Sequence, residues 1–145
     1  MQRIIFDWKR TLYDPDSQKL CEGAVELLKY LSLQKIDLVL VGKGQPNTIQ
    51  DVIRLGLSQY FSKIFFVGTL KSKDIFSPFI TNPPLDTYVV GDRIRSEIIL
   101  GKELGTTTVW IRLGKFADEV PQTPEEEPSL TFSSLSDFLV HLRNS

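Results

Sequence analysis

Five short β-branched runs, each almost unbroken by polar residues, set the tightest limit on what this chain can fold into. Arg3 to Phe6, Asp37 to Val41, Lys63 to Val67, Thr87 to Val90 and Thr107 to Ile111 lack the apolar–polar alternation of a sheet with one wet face. They predict strands covered on both sides. The segments between them carry helical periodicity. Gly23 to Leu33 places Ala24, Leu27, Leu28 and Leu31 on one face. Asn47 to Leu55 follows a proline at a helix start and ends at Gly56, and Ser96 to Leu104 has Ser96 as an expected N-cap with Gly105 just past its end. Strand and helix in alternation predict an α/β fold, a doubly wound three-layer sandwich around a central parallel sheet.

At 145 residues the chain suits one domain, 1–145. Residues 117–128 break every apolar period and read as an acidic, proline-rich surface loop. An apolar patch at Leu130 to Phe132 then precedes a last helix over 134–142, where Leu135, Phe138, Leu139 and Leu142 share a face. A formal net charge of −1 gives no strong nucleic-acid signal. The apolar runs are too short to cross a bilayer, the start shows no signal peptide, and the single Cys21 fits a reducing compartment. A cytoplasmic location, with no membrane contact, is the expectation.

In doubly wound sheets, ligands collect beyond the carboxyl ends of the strands. Asp7, Gly42 and Asp92 each follow a predicted strand end, so the topology alone brings them toward one crevice. Asp7-Trp8-Lys9-Arg10-Thr11-Leu12 begins with an acid and reaches Thr-Leu four and five residues later. Gly91-Asp92 is followed five residues later by a second acid, Glu97. Together these segments resemble the first and fourth motifs of the haloacid dehalogenase-like (HAD) phosphohydrolases. The resemblance extends in element order and spacing over nearly the whole chain and implies the HAD-like, Rossmannoid form of the fold.

That resemblance implies Asp7 as the nucleophile and Asp7, Asp92, Glu97 and the backbone carbonyl of Lys9 as the surroundings of a magnesium ion. It also exposes departures. Lys9 stands where the family has its second aspartate, the general acid/base. Gly42 stands where a Ser or Thr hydroxyl holds the phosphoryl group, leaving backbone amides of a glycine turn and the Lys43 charge as substitutes. Lys71 and Lys73 are both candidates for the third-motif lysine, with Lys71 preferred for its spacing from Phe76. Lys9 either turns to solvent and substrate or displaces the metal and neutralises Asp7 and Asp92 directly.

The gaps between Asp7 and Gly42 and between Lys71 and Gly91 are too short for a cap domain. An open cleft suits a large phosphorylated substrate, or a neighbouring subunit or partner protein as lid. Trp8, Lys9, Arg10, Arg93 and Arg95 either line its mouth or, in the case of Trp8 and the arginines, pack under the flap and form surface pairs. The function expected is a slow, magnesium-dependent phosphatase acting through an aspartyl phosphate. The alternative is an inactive pseudoenzyme that binds a phosphorylated ligand or a protein.

Overall fold

The computed structural model describes residues 1–145. Its strands are β1 (Arg3–Phe6), the short pair β2 (Tyr13–Asp14) and β3 (Lys19–Leu20), then β4 (Asp37–Lys43), β5 (Lys63–Val67), β6 (Thr87–Gly91), β7 (Thr107–Ile111) and β8 (Leu130–Phe132). The main sheet has six strands in the order β5-β4-β1-β6-β7-β8, all parallel, and β2 with β3 forms a small antiparallel hairpin. From β1 the chain winds outward through β4 to β5, then crosses back to β6 on the other side. The carboxyl ends of β1 and β6 therefore lie at the point where the winding reverses.

Successive residues of β1 and β4 feed opposite layers, as the pleat requires. Ile4, Phe6, Leu38 and Leu40 pack beneath α1 (Ala24–Leu33), α2 (Ile49–Arg54) and α5 (Leu135–Arg143). Ile5, Val39 and Val41 face Phe76 of α3 (Lys73–Phe76) and the leucines Leu100 and Leu104 at α4 (Ile99–Glu103). The expected three-layer sandwich is thus present, with no inserted domain between its elements.

Four local expectations need correcting. β5 is not buried on both sides: it is the edge strand, and Phe65 is 44% exposed. β4 runs to Lys43, so Gly42 lies in the ladder opposite Phe66 rather than in a turn. Ser96 is no N-cap, because the helical path begins in a wide π-type turn over Ile94–Ile98 that contains it. The patch at Leu130 to Phe132 is a sixth strand, paired with β7. By contrast Ser134 does cap α5, its Oγ accepting from the Asp137 amide at 3.1 Å.

Candidate active site

Adjacent parallel strands β1 and β6 deliver Asp7 and Asp92 side by side, and the Asp7 amide donates to the Val90 carbonyl at 3.0 Å. Glu97 reaches the same point because Gly91 has no side chain: a Cβ there would sit 2.7 Å from Glu97 Oε2. Carboxylate oxygens of Asp7, Asp92 and Glu97 lie within 4.8 Å of one another, and the three residues are 7%, 3% and 4% exposed. Lys71, with a side chain 3% exposed, bridges them, donating to Asp7 Oδ1 at 2.6 Å and to Glu97 Oε1 at 2.7 Å. Ser96 Oγ donates to Glu97 Oε1 at 3.0 Å. Thr11 Oγ1 lies between the aspartates, 3.4 Å from Asp7 Oδ2 and 3.5 Å from Asp92 Oδ1. Behind them the Trp110 indole donates to the Asp92 carbonyl at 2.9 Å, fixing the turn after β6.

Burial disfavours the Lys71 ammonium, but Asp7 and Glu97 outweigh that cost and hold its pKa above the usual lysine value. The carboxylates show the opposite strain. Asp92 is pushed up to about 8, first by burial and then by the charges of Asp7 and Glu97. Glu97 is raised by burial and by Asp7, with Lys71 opposing. With all three acids ionised, one ammonium among them would leave a formal charge of −2 in a dry place, and the raised pKa values of Asp92 and Glu97 reflect that crowding. Asp92 Oδ2 and Glu97 Oε2 are buried without any protein partner, an arrangement that costs free energy until something meets them. The Lys9 carbonyl likewise accepts no protein hydrogen bond. An all-oxygen set with excess negative charge and orphaned oxygens fits magnesium.

Of the residues expected here, Asp7, Lys71, Asp92 and Glu97 converge. Lys73 does not belong with them. It opens α3 pointing away, its side chain 56% exposed and 3.4 Å from Glu103. Lys9 is exposed and pairs with no carboxylate, so it does not take the metal's place between Asp7 and Asp92. Lys9 and Lys43 stand at the mouth of a cleft of about 300 Å³ with Arg10, Arg93 and Lys115. Trp8 is buried beneath the hairpin, stacked on Tyr13 at 5.3 Å, and does not line the mouth. Arg95 is a surface pair, 3.0 Å from Glu119 and 3.5 Å from Glu126. His141 packs on Phe132 at 5.2 Å, far from the cleft.

Gly42 is where the departure runs deepest. A Cβ at this position would meet the Phe66 ring at 2.6 Å and Trp8 Cβ at 2.9 Å. The space a motif hydroxyl would use is thus filled from the neighbouring strand. Phe66 was beyond the reach of sequence reasoning, because nothing but the β4–β5 register brings it to Gly42. Ser96 and Trp110 were missed in the same way, although Ser96 adjoins an acid already suspected.

A sequence profile described as HAD-hydrolase-like matches residues 40–138. The chain belongs to this family. Among solved structures, an uncharacterized protein of Listeria monocytogenes serotype 4b aligns with a TM-score of 0.79 at 18% identity, over 99% of this chain and 98% of its own. A HAD phosphatase of Thermococcus onnurineus aligns with a TM-score of 0.76 at 14% identity, over 98% of each chain. The putative HAD-hydrolase YfnB of Bacillus subtilis, solved bound to magnesium, is 28% identical with a TM-score of 0.69, over 87% of this chain but only 57% of YfnB. No curated protein matches the sequence. No helix is long and apolar enough to cross a membrane.

Proposed function

We propose that residues 1–145 form one catalytic domain, a slow phosphomonoester hydrolase that works through an aspartyl phosphate on Asp7. The observation that carries this reading is the buried Lys71 bridge. An ammonium 2.6 Å from Asp7 Oδ1 and 2.7 Å from Glu97 Oε1 orients the Asp7 carboxylate and supplies positive charge where phosphoryl oxygens would arrive. Asp7 and Asp92, with the Lys9 carbonyl, would hold magnesium and Glu97 would support it from outside; when bound, that ion neutralises charge on the phosphoryl group. YfnB, the neighbour solved with magnesium, supports the same assignment.

In the first step an Asp7 oxygen bonds to phosphorus as the ester P–O bond breaks, and the leaving alkoxide takes up a proton. Solvent water at the open mouth supplies that proton. In the second step water attacks phosphorus and gives up a proton to solvent, the Asp7 O–P bond breaks, and inorganic phosphate leaves. That step needs a base, and protonated Lys9 cannot serve as one. Loss of general base help typically costs about 10²- to 10⁴-fold, so the second step limits turnover and the phosphoenzyme accumulates.

A second reading, a module that binds a phosphorylated ligand or a protein partner without turnover, is favoured by Phe66 filling the hydroxyl position at Gly42. Hydrolysis of p-nitrophenyl phosphate separates the two. On the hydrolase reading wild type turns over slowly, Lys9→Asp is at least ~10-fold faster because the base is restored, and Asp7→Asn is inactive. Equal rates in all three would leave the binding module. Either reading is compatible with a cytoplasmic protein whose Cys21 is a free thiol, and with a neighbouring subunit closing the open cleft.

A further inference from the structure

Twelve residues line the reaction cleft, and the only acids among them are Asp7, Asp92 and Glu97. No histidine, cysteine or tyrosine joins them. The single histidine of the chain, His141, lies in α5 and packs on Phe132 at 5.2 Å, outside the cleft. The three acids are gathered at the floor, with carboxylate oxygens within 4.8 Å of one another. Lys71 holds Asp7 Oδ1 at 2.6 Å and Glu97 Oε1 at 2.7 Å, and Ser96 donates to the same Glu97 oxygen at 3.0 Å. No acid or base is left over to handle a proton on the outer side of a phosphoryl group seated on Asp7.

That outer side is where proton transfer is normally needed. Phosphoryl transfer keeps the attacking and leaving oxygens roughly in line, so with Asp7 on the floor the leaving group points toward the mouth. There the cleft offers the cations Lys9, Lys43 and Arg93, none of which makes an ion pair. An ammonium or guanidinium has no lone pair with which to take a proton. An alcohol departs as an alkoxide that must gain a proton, and water attacks only as it loses one. A carboxylate needs neither service, because its acid titrates near about pH 4 and it both leaves and arrives already ionised. Unpaired cations at the mouth suit such an anion.

We propose that this site passes a phosphoryl group between Asp7 and small carboxylates, a phosphotransferase activity on acyl phosphates that accompanies the slow hydrolysis. The inference rests on the reading of Asp7 as nucleophile and names a substrate class for it. An Asp7 oxygen bonds to phosphorus as the bond from phosphorus to the acyl oxygen breaks, and that electron pair leaves on the carboxylate. A second carboxylate then attacks phosphorus, the Asp7 O–P bond breaks, and a new acyl phosphate departs with Asp7 restored. No proton moves in either half. The aspartyl phosphate is itself an acyl phosphate, so each half exchanges like for like and runs in both directions. The loss of about 10²- to 10⁴-fold for a missing base then falls on water alone.

Isotope exchange tests it. Wild type in magnesium buffer would receive acetyl phosphate together with isotopically labelled acetate, and NMR would follow label entering acetyl phosphate while released inorganic phosphate is measured alongside, both above a protein-free blank. Exchange should exceed phosphate release by at least ~10-fold, because release alone bears the missing base. Asp7→Asn should abolish it. Lys9→Asp restores a base and should speed release without a matching gain in exchange, so that the ratio of exchange to release falls by ~10-fold or more. Exchange no faster than release in wild type, or exchange that survives in Asp7→Asn, overturns the proposal. So does a phosphoenzyme, read as a mass increase, that forms from pyrophosphate but not from acetyl phosphate. Hydrolysis of p-nitrophenyl phosphate without exchange refutes this inference alone, whereas exchange with no net release of phosphate refutes the hydrolase reading alone.

Discussion

Gly42 shows how one residue can close a position that the rest of the fold keeps open. Because its missing side chain is replaced by the Phe66 ring and Trp8 Cβ, adding a hydroxyl is a packing problem before it is a chemical one. Gly42→Ser should lose about 1–3 kcal/mol through overpacking. In that background Phe66→Ala should cost less than it does in wild type, and urea unfolding of the four proteins of the cycle would read the coupling. Independent effects would show that Phe66 moves aside freely. Cys21 is a simpler case. Burial first, then Asp14 and Asp92, push its thiol up to about 11, so little thiolate exists at neutral pH. Alkylation by iodoacetamide should be slow at pH 7 and should speed up nearly tenfold per pH unit until about pH 11. A rate that levels off near pH 8.5, where an ordinary thiol titrates, would contradict this.

Among the elements, the acidic segment after residue 116 does more than its composition suggests. Glu119 Oε1 accepts from the Ile94 amide at 3.0 Å, and its other oxygen pairs with Arg95 at 3.0 Å. The loop thereby grips the π-type turn that carries Glu97 into the site. Glu119→Ala removes a partly buried acceptor and should cost about 1–2 kcal/mol. Because the turn also aims Glu97, hydrolysis should fall more than stability alone explains. A change in Tm with the rate per folded molecule intact would confine the loop to a structural role. The sequence showed this segment as loop, since proline and acid break every period, but its grip on Ile94 depends on a fold no local signal describes. The main strands were legible for the reverse reason: being covered on both faces writes a continuous apolar run into each. β5 was overread because an edge strand can carry the same run half exposed, and β8 was underread because three residues, Leu130–Phe132, make too short a pattern. Asp7 and Asp92 were legible as residues just past strand ends, and Glu97 through the resemblance to the family's fourth motif. Spacing from Phe76 already favoured Lys71 over Lys73; what it could not show is that two residues on a short helix entry separate a buried bridge from a surface pair.

At the scale of the whole molecule, a formal charge of −1 is divided very unevenly. The floor of the cleft is negative, with three carboxylates around Lys71, and its rim is positive. Anions are thereby drawn to the mouth, while a cation is wanted only at the bottom. The two demands oppose each other, because each rim cation weakens binding of a metal at the floor. Lys9 is the informative one. Exposed and without a carboxylate partner, it acts on the floor through a largely aqueous path, where unit charges interact by only ~1 kcal/mol at 4 Å. Magnesium should therefore bind weakly in wild type, somewhat more tightly in Lys9→Ala, and not at all in Asp92→Ala, which loses one of the orphaned oxygens. A ligand that binds only the folded state stabilises it by about 2.7 kcal/mol at a hundred times its Kd. Saturating magnesium should thus raise Tm in wild type and Lys9→Ala but leave Asp92→Ala unmoved, with calorimetry giving the order of affinities. Should neither wild type nor Lys9→Ala respond to magnesium, the orphaned oxygens of Asp92 and Glu97 would need another occupant, and the binding module would be the better account of this cleft.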